Sequence, residues 1–373
     1  MLLLDSDKLS VSSVRKIIVL SDNEAVQNKV LQLLRTEGLE NIDIIKSSFL
    51  DENVVLSAEE AIGVIIDIQD ESDITVISES ISSIVPQNMW CCVIGLSDSI
   101  RLSQQLLEQG ILYFNSESQL RLMANKIRST DISIPCTRNT TKVCVLTCKG
   151  GIGGSFISSH IAANIALNKK VPVLLAQGSN GSQDLDLLFD KKIQGDVVEY
   201  MDNLFLFNGD PNHLAEDIIE KYNFIIYDKP IFNINKDNFS EFFTYSNNFV
   251  LIVERKVGSL RVAKKFLEQC ERARQLSNQP IRTFICLSDS RYDSSKLMAK
   301  SDIESLLNHP IDAIIPFIKQ PQNKTVLEVN LNKASKREFH QLSMKVIGIL
   351  SRQIRKKDDK SLFRSIYRWI MNN

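Results

Sequence analysis

Residues 143–155 read Val143-Cys144-Val145-Leu146-Thr147-Cys148-Lys149-Gly150-Gly151-Ile152-Gly153-Gly154-Ser155, and apolar residues recur at helical spacing from Phe156 to Leu167. An apolar strand, a loop holding four glycines in the five positions 150–154, and a helix follow one another without a break. That order aims backbone amides at a phosphate chain. Glycine lets the main chain turn tightly and approach an anion, and the helix start adds partial positive charge. An ordinary flexible βα turn is the alternative reading, and the density of glycines in this context favours phosphate binding.

Working outward, the runs 171–176, 223–227, 249–253, 281–287 and 311–315 are apolar without polar alternation, the pattern of a parallel sheet covered on both faces. Ahead of the loop lie shorter runs at 17–20, 42–45, 62–66, 91–96 and 111–114. Val26, Val30, Leu33 and Leu34 recur at helical spacing between the first two of these, and Leu102, Leu106 and Leu107 before the fifth. This predicts a five-strand doubly wound α/β domain. Asp131 to Thr141 carries a proline and several threonines without apolar periodicity and reads as a linker. The expected organisation is α/β throughout: a doubly wound domain over 1–130, a linker over 131–141, a parallel-sheet domain over 142–355 whose last helix covers 335–355, and a basic tail over 356–373.

A chain of 373 residues accommodates two domains. With 44 basic and 45 acidic residues the formal net charge is −1, so no global positive field is available to hold a nucleic-acid backbone. An apolar fraction of 43% with 24% charged residues excludes a mainly disordered chain. Seven cysteines, without a CxxC pair or histidines at finger spacing, point to a reducing compartment and no structural zinc. The opening Met1-Leu2-Leu3-Leu4 is interrupted at Asp5 and no later apolar stretch approaches a bilayer span, so an intracellular protein is expected.

The loop resembles the deviant Walker A motif, KGGxGK[ST], of the MinD/ParA ATPases. The resemblance implies that Lys149 is the signature lysine that reaches a dimer partner's nucleotide. It places Gly150, Gly151, Ile152, Gly153 and Gly154 against the phosphates and gives Ser155 a magnesium-ligating hydroxyl. Asp228, which ends an apolar run and precedes Lys229-Pro230, is similar to the Walker B carboxylate that holds magnesium directly or through water. Gly154 stands where the family has its P-loop lysine. A unit charge pair at about 4 Å and an effective dielectric near 20 is worth roughly 4 kcal/mol before desolvation, so the loss weakens nucleotide affinity. Where the family places aspartates that orient water, the chain reads Ala176-Gln177-Gly178-Ser179. Asp184 and Asp186 lie just beyond, either as substitutes or as solvated loop carboxylates, and a weak ATPase at most is expected. The helix opening Gly258-Ser259-Leu260-Arg261 and the turn Ile315-Pro316 also match the family, extending the likeness from 142 to about 350.

The first domain resembles a response-regulator receiver. Asp22 follows the first strand, where receivers keep magnesium-binding acids; Asp67 ends the third, at the phosphoacceptor position; Ser97 ends the fourth, at the hydroxyl position. Asn115 stands where a receiver needs lysine, which leaves an aspartyl phosphate without a main stabilising charge. An atypical receiver serving as a binding or dimerisation surface is expected. In the tail, Leu362, Phe363, Ile366, Trp369 and Ile370 share one helical side, with Arg364 and Arg368 on the other, next to Lys356, Lys357 and Lys360. Such a helix lies in an anionic headgroup layer, fills a partner's groove or docks on its own domain.

A receiver-like half joined to a degenerate MinD/ParA-like P-loop half resembles the TadZ/CpaE family of type IVc (Flp, tight-adherence) pilus systems. The resemblance implies a localisation and assembly factor: a cytoplasmic homodimer, peripheral to the inner membrane and polar, that binds ATP and Mg2+ weakly or structurally. Its implied partners are the pilus secretion ATPase and inner-membrane pilus components, with membrane-surface contact through the tail and no specific nucleic acid. Two other readings remain, an active ATPase switch cycling on membrane and a DNA-partition ATPase, the latter disfavoured by the charge balance.

Overall fold

The apolar runs become the strands of two sheets in a computed structural model that describes residues 16–128, 138–178, 181–193, 195–277, 280–289, 297–318 and 325–349. The first half runs β1 (Lys16–Leu20), α1 (Glu24–Thr36), β2 (Ile42–Ile45), β3 (Ala61–Asp67), α2 (Ile74–Ile84), β4 (Trp90–Gly95), α3 (Ile100–Leu107), β5 (Leu112–Asn115) and α4 (Leu120–Arg128). All five strands are parallel, in the order β2-β1-β3-β4-β5, which is the flavodoxin-like doubly wound order. α1 begins where Asn23 Oδ1 accepts the Ala25 N–H at 3.0 Å, and it buries Val30 and Leu34, four residues apart on one face. Residues 46–60, between β2 and β3, form turns and irregular structure.

The second half runs β6 (Thr141–Thr147), α5 (Gly154–Lys169), β7 (Val173–Gln177), α6 (Leu185–Phe189), β8 (Val198–Met201), β9 (Leu204–Asn208), α7 (Glu216–Ile219), β10 (Phe224–Pro230), β11 (Asn248–Val253), α8 (Val257–Ser277), β12 (Arg282–Ser288), α9 (Lys300–Leu307), β13 (Ala313–Ile315) and α10 (Lys333–Val346). Its sheet has the order β13-β12-β11-β6-β10-β7-β9-β8, parallel except for β8 against β9. One face packs Val143, Val145 and Ile226 under α5 and α10, with Ile161, Phe339 and Leu342 fully buried. The other packs Leu146, Ile225 and Leu251 under α8 and α9, with Phe249 and Phe266 in edge-to-face contact at 5.1 Å. Burial on both faces explains the unalternated strands.

Two elements depart from the sequence expectation. β8 and β9 form a hairpin around Asp202-Asn203, with Asn203 at φ +64, and no strand was expected there. The last expected helix is observed as α10, which stops before Gly348 because that residue takes φ +90, the left-handed conformation that ends helices.

By contacts the chain divides into two units: residues 16–51, 56–72 and 88–128 form one, and 52–55, 73–87 and 138–349 the other. The segment 73–87, which carries α2, is held within the second unit by Asn223, whose Nδ2 donates to Val85 O at 2.7 Å and Ser82 O at 2.8 Å. Residues 129–137 of the expected linker, residues 350–355 of the expected last helix and the whole tail lie outside the described residues.

Candidate functional site

β6 and β10 lie at the centre of the second sheet, and the loop 148–153 leaves the C-terminal end of β6, where open α/β sheets place their ligands. Gly151 at φ +74 and Gly153 at φ +84 make the reversal into α5. Gly153 is the N-cap and supplies no capping side chain, so the first-turn amides of α5 lack a side-chain acceptor at the cap. A Cβ on Gly151 would meet nothing within 4 Å, and one on Gly153 only Ser288 Oγ at 3.9 Å, so these two glycines open onto space, whereas one on Gly150 would stand 3.3 Å from the Phe232 ring. That space is a cavity of about 390 Å³, walled by Phe156, Ile315, Pro316 and Phe317 and carrying Ser288 and Asp289 as polar groups. Its size is that of a small-molecule site. Ser288 Oγ donates to Ile152 O at 2.7 Å, which pins the loop to the end of β12.

The expected phosphate-binding positions are thus brought together, and their charges differ from a standard loop. An added Cβ at Gly154 would stand 2.0 Å from Thr147 Oγ1 and 3.1 Å from Thr147 Cβ. A side chain there requires Thr147 to shift, so the place of the missing lysine is closed by Thr147 as it stands. Lys149 Nζ is ion-paired with Glu254 Oε1 just past β11; the glutamate side chain is 7% exposed and the lysine half-exposed. The next residue, Arg255, grips Asp289 through Nε at 2.7 Å and Nη2 at 3.3 Å. Nothing in the sequence singled out Glu254, which lies 105 positions from its partner.

Ser155 and Asp228, the pair expected to hold magnesium, also come together. Asp228 pairs in register with Gln177 across β10 and β7, so the two side chains share one face of the sheet. Gln177 Nε2 sits among Asp228 Oδ2 at 3.0 Å, Ser182 Oγ at 3.0 Å, Ser155 Oγ at 3.1 Å and Asp184 Oδ1 at 3.2 Å. Gln177 Oε1 accepts the Asp184 N–H at 2.8 Å. Burial pushes the Asp228 carboxyl up to about 6, against bonds from Ser155 and Gln177 that pull it down. The oxygens are those a hard cation would take, but an amide nitrogen fills their centre, so the residues as arranged do not fit Mg2+. Asp186 stands apart and accepts the Leu187 N–H in α6.

In the first unit Asp67 is buried at the end of β3; its Oδ2 accepts from Ser21 Oγ at 2.7 Å and its Oδ1 from Gln69 N–H at 2.9 Å. Gln69 also bonds Asp22, which brings the two aspartates to one end of the sheet. The Ser97 hydroxyl accepts from Ser99 N–H at 3.3 Å in its own turn. Asn115 Oδ1 accepts the N–H groups of Glu117 and Ser118 at 2.9 and 3.0 Å, so it serves the turn before α4.

Among the described residues no group of three or more His, Cys, Asp or Glu side chains is placed to hold a metal ion, and the thiols of Cys91, Cys92, Cys144, Cys148, Cys270 and Cys286 are buried. No helix among them is long and apolar enough to cross a membrane.

No family model matches the sequence, and no curated protein matches it. Solved structures do. A ParA family ATPase from Chlorobium tepidum TLS is 17% identical over 55% of this chain and 99% of its own, with a TM-score of 0.39. The MinC:MinD cell division complex of Aquifex aeolicus is 19% identical over 56% of this chain and 96% of its own, at 0.43. The septum site-determining protein MinD of Pyrococcus horikoshii OT3, complexed with Mg-ADP, is 15% identical over 57% and 98%, at 0.41.

Proposed function

We propose that this chain is a nucleotide-binding scaffold that does not turn its nucleotide over. The observation that carries the reading is the pairing of an open glycine cradle with a catalytic corner occupied by Gln177. Gly151, Ile152, Gly153 and Phe156 line a cavity of nucleoside size at the uncapped start of α5, whereas the position of a water-orienting carboxylate holds a neutral amide. Backbone N–H groups and the start of α5 attract phosphate oxygens; with Gly154 closed and Lys149 paired to Glu254, binding is weak. Apolar contact with Phe156, Pro316 and Phe317 supplies part of the remainder.

In this reading residues 1–130 are an atypical receiver used as an interaction surface. Asp67 carries no phosphoryl group there, since Asn115 supplies no cation. Residues 142–355 are the degenerate MinD/ParA-like half and 356–373 the membrane-surface or partner-binding tail. The combination supports a homodimeric localisation and assembly factor of a type IVc pilus apparatus, which recruits its secretion ATPase and inner-membrane components at a cell pole.

Titration calorimetry with ATP, run beside a phosphate-release assay, tests the biochemical core of the proposal. Binding heat without phosphate release above background is expected. Sustained magnesium-dependent release would refute it and favour an active switch.

A further inference from the structure

We propose that Gln177 takes the place of the divalent cation: its amide nitrogen occupies the centre of the oxygen shell formed by Ser155, Asp184 and Asp228, and the site accepts a triphosphate without magnesium.

Gln177 ends β7 and is 1% exposed, so its side chain is fixed by its surroundings. Four oxygens from three separate segments converge on Nε2 at 3.0 to 3.2 Å. An amide nitrogen has two hydrogens, so the shell offers more acceptors than the donor can serve. Convergence of hydroxyl and carboxylate oxygens on one point is the environment of a cation. The distances are those of N–H···O bonds, whereas magnesium holds its oxygens at about 2.0–2.1 Å and demands near-octahedral geometry. A cation cannot enter while the amide stays. The amide orientation follows from the network: turned over, Oε1 would face four oxygens and the Asp184 N–H would lose its acceptor.

Register makes the arrangement stable. Gln177 lies opposite Asp228 on the neighbouring strand, and Ser155 sits in the first turn of α5, so each partner belongs to a rigid element except Ser182 and Asp184.

The inference rests on the cradle reading above for the triphosphate, and its own test does not. The test uses Mn2+ alone, without nucleotide, with free Mn2+ followed by electron paramagnetic resonance on the full chain. The unsubstituted protein is expected to bind no Mn2+ in the millimolar range. Gln177→Ala, which removes the plug, and Gln177→Asp, which also adds a ligand, are each expected to bind one Mn2+ at least tenfold more tightly. Mn2+ is further expected to raise the thermal midpoint of both variants and not that of the unsubstituted chain, a readout that covers a variant weakened by the substitution. Stoichiometric Mn2+ binding by the unsubstituted chain, or no gain in either variant, overturns the proposal. In a second arm, ATP affinity in EDTA and in excess Mg2+ is expected to agree within twofold; a tenfold tightening by Mg2+ overturns it. Absence of ATP binding in both conditions would remove the cradle reading, while the Mn2+ arm would still decide the role of Gln177.

Discussion

Replacing Asp228 by asparagine is expected to stabilise the protein at neutral and alkaline pH. The carboxyl is 4% exposed, and burial raises it from 3.8 to about 6. At about 1.4 kcal/mol per pH unit, that rise corresponds to roughly 3 kcal/mol spent on keeping the group ionised in the folded chain. The folded state holds a proton more tightly than the unfolded state, so the destabilisation is absent below about 4, grows as pH rises through 6 and is complete above that. Asparagine keeps the shape and both bonds: its oxygen accepts from Gln177 and its N–H donates to Ser155 Oγ. Urea unfolding of both proteins at pH 5 and pH 8 is the assay. The Asp228→Asn chain is expected to gain on the order of 2–3 kcal/mol at pH 8, less at pH 5, and the difference is expected to be indifferent to magnesium. A variant less stable than the parent at pH 8, with magnesium stabilising the parent alone, would refute the reasoning, because it would mean that a cation compensates the carboxylate.

Gly154→Ala is expected to cost about 1–3 kcal/mol by forcing a Cβ against Thr147, as measured by denaturant midpoint, and Thr147→Ala in the same chain to recover part of it. Adding Thr147→Ala to Gly154→Lys is expected to tighten ATP binding at least tenfold by calorimetry, where Gly154→Lys alone gains less. Burial between Phe156 and Phe339 pushes His160 down to about 4, so the folded chain refuses a proton that the unfolded chain takes up below about 6.5. Stability is therefore expected to fall as pH drops from about 6.5 to 4, and His160→Phe to flatten that slope in the same assay. Deleting residues 361–373 is expected to abolish flotation with anionic vesicles, and unchanged flotation would retire a membrane role for the tail.

The sheets were legible because their strands are buried on both faces and stand out as apolar runs bounded by turn residues. The glycine loop was legible for a related reason: a phosphate cradle needs positive φ at Gly151 and Gly153, and few other residues supply it. The β8–β9 hairpin escaped notice although Asp202-Asn203 is a turn signal, because β8 is a half-exposed edge strand of mixed composition. The end of α10 depended on the backbone at Gly348, whereas the periodicity continues past it. In the site, Ser155 and Asp228 could be paired from their positions at strand ends. Gln177 was visible as a departure from aspartate, but its place among four oxygens depends on the β7–β10 register and on the path of residues 181–184. The Lys149–Glu254 pair had no local signal at all, since it joins the loop to the residue after a strand that no motif marks.

The most direct measurement is amide hydrogen exchange, by mass spectrometry, over peptides spanning residues 148–160 of the full chain, with and without ATP in EDTA. The account gives slowed exchange at the amides of Gly151 to Phe156 under metal-free conditions. Exchange there that is unchanged by ATP, or slowed only when magnesium is supplied, would contradict it.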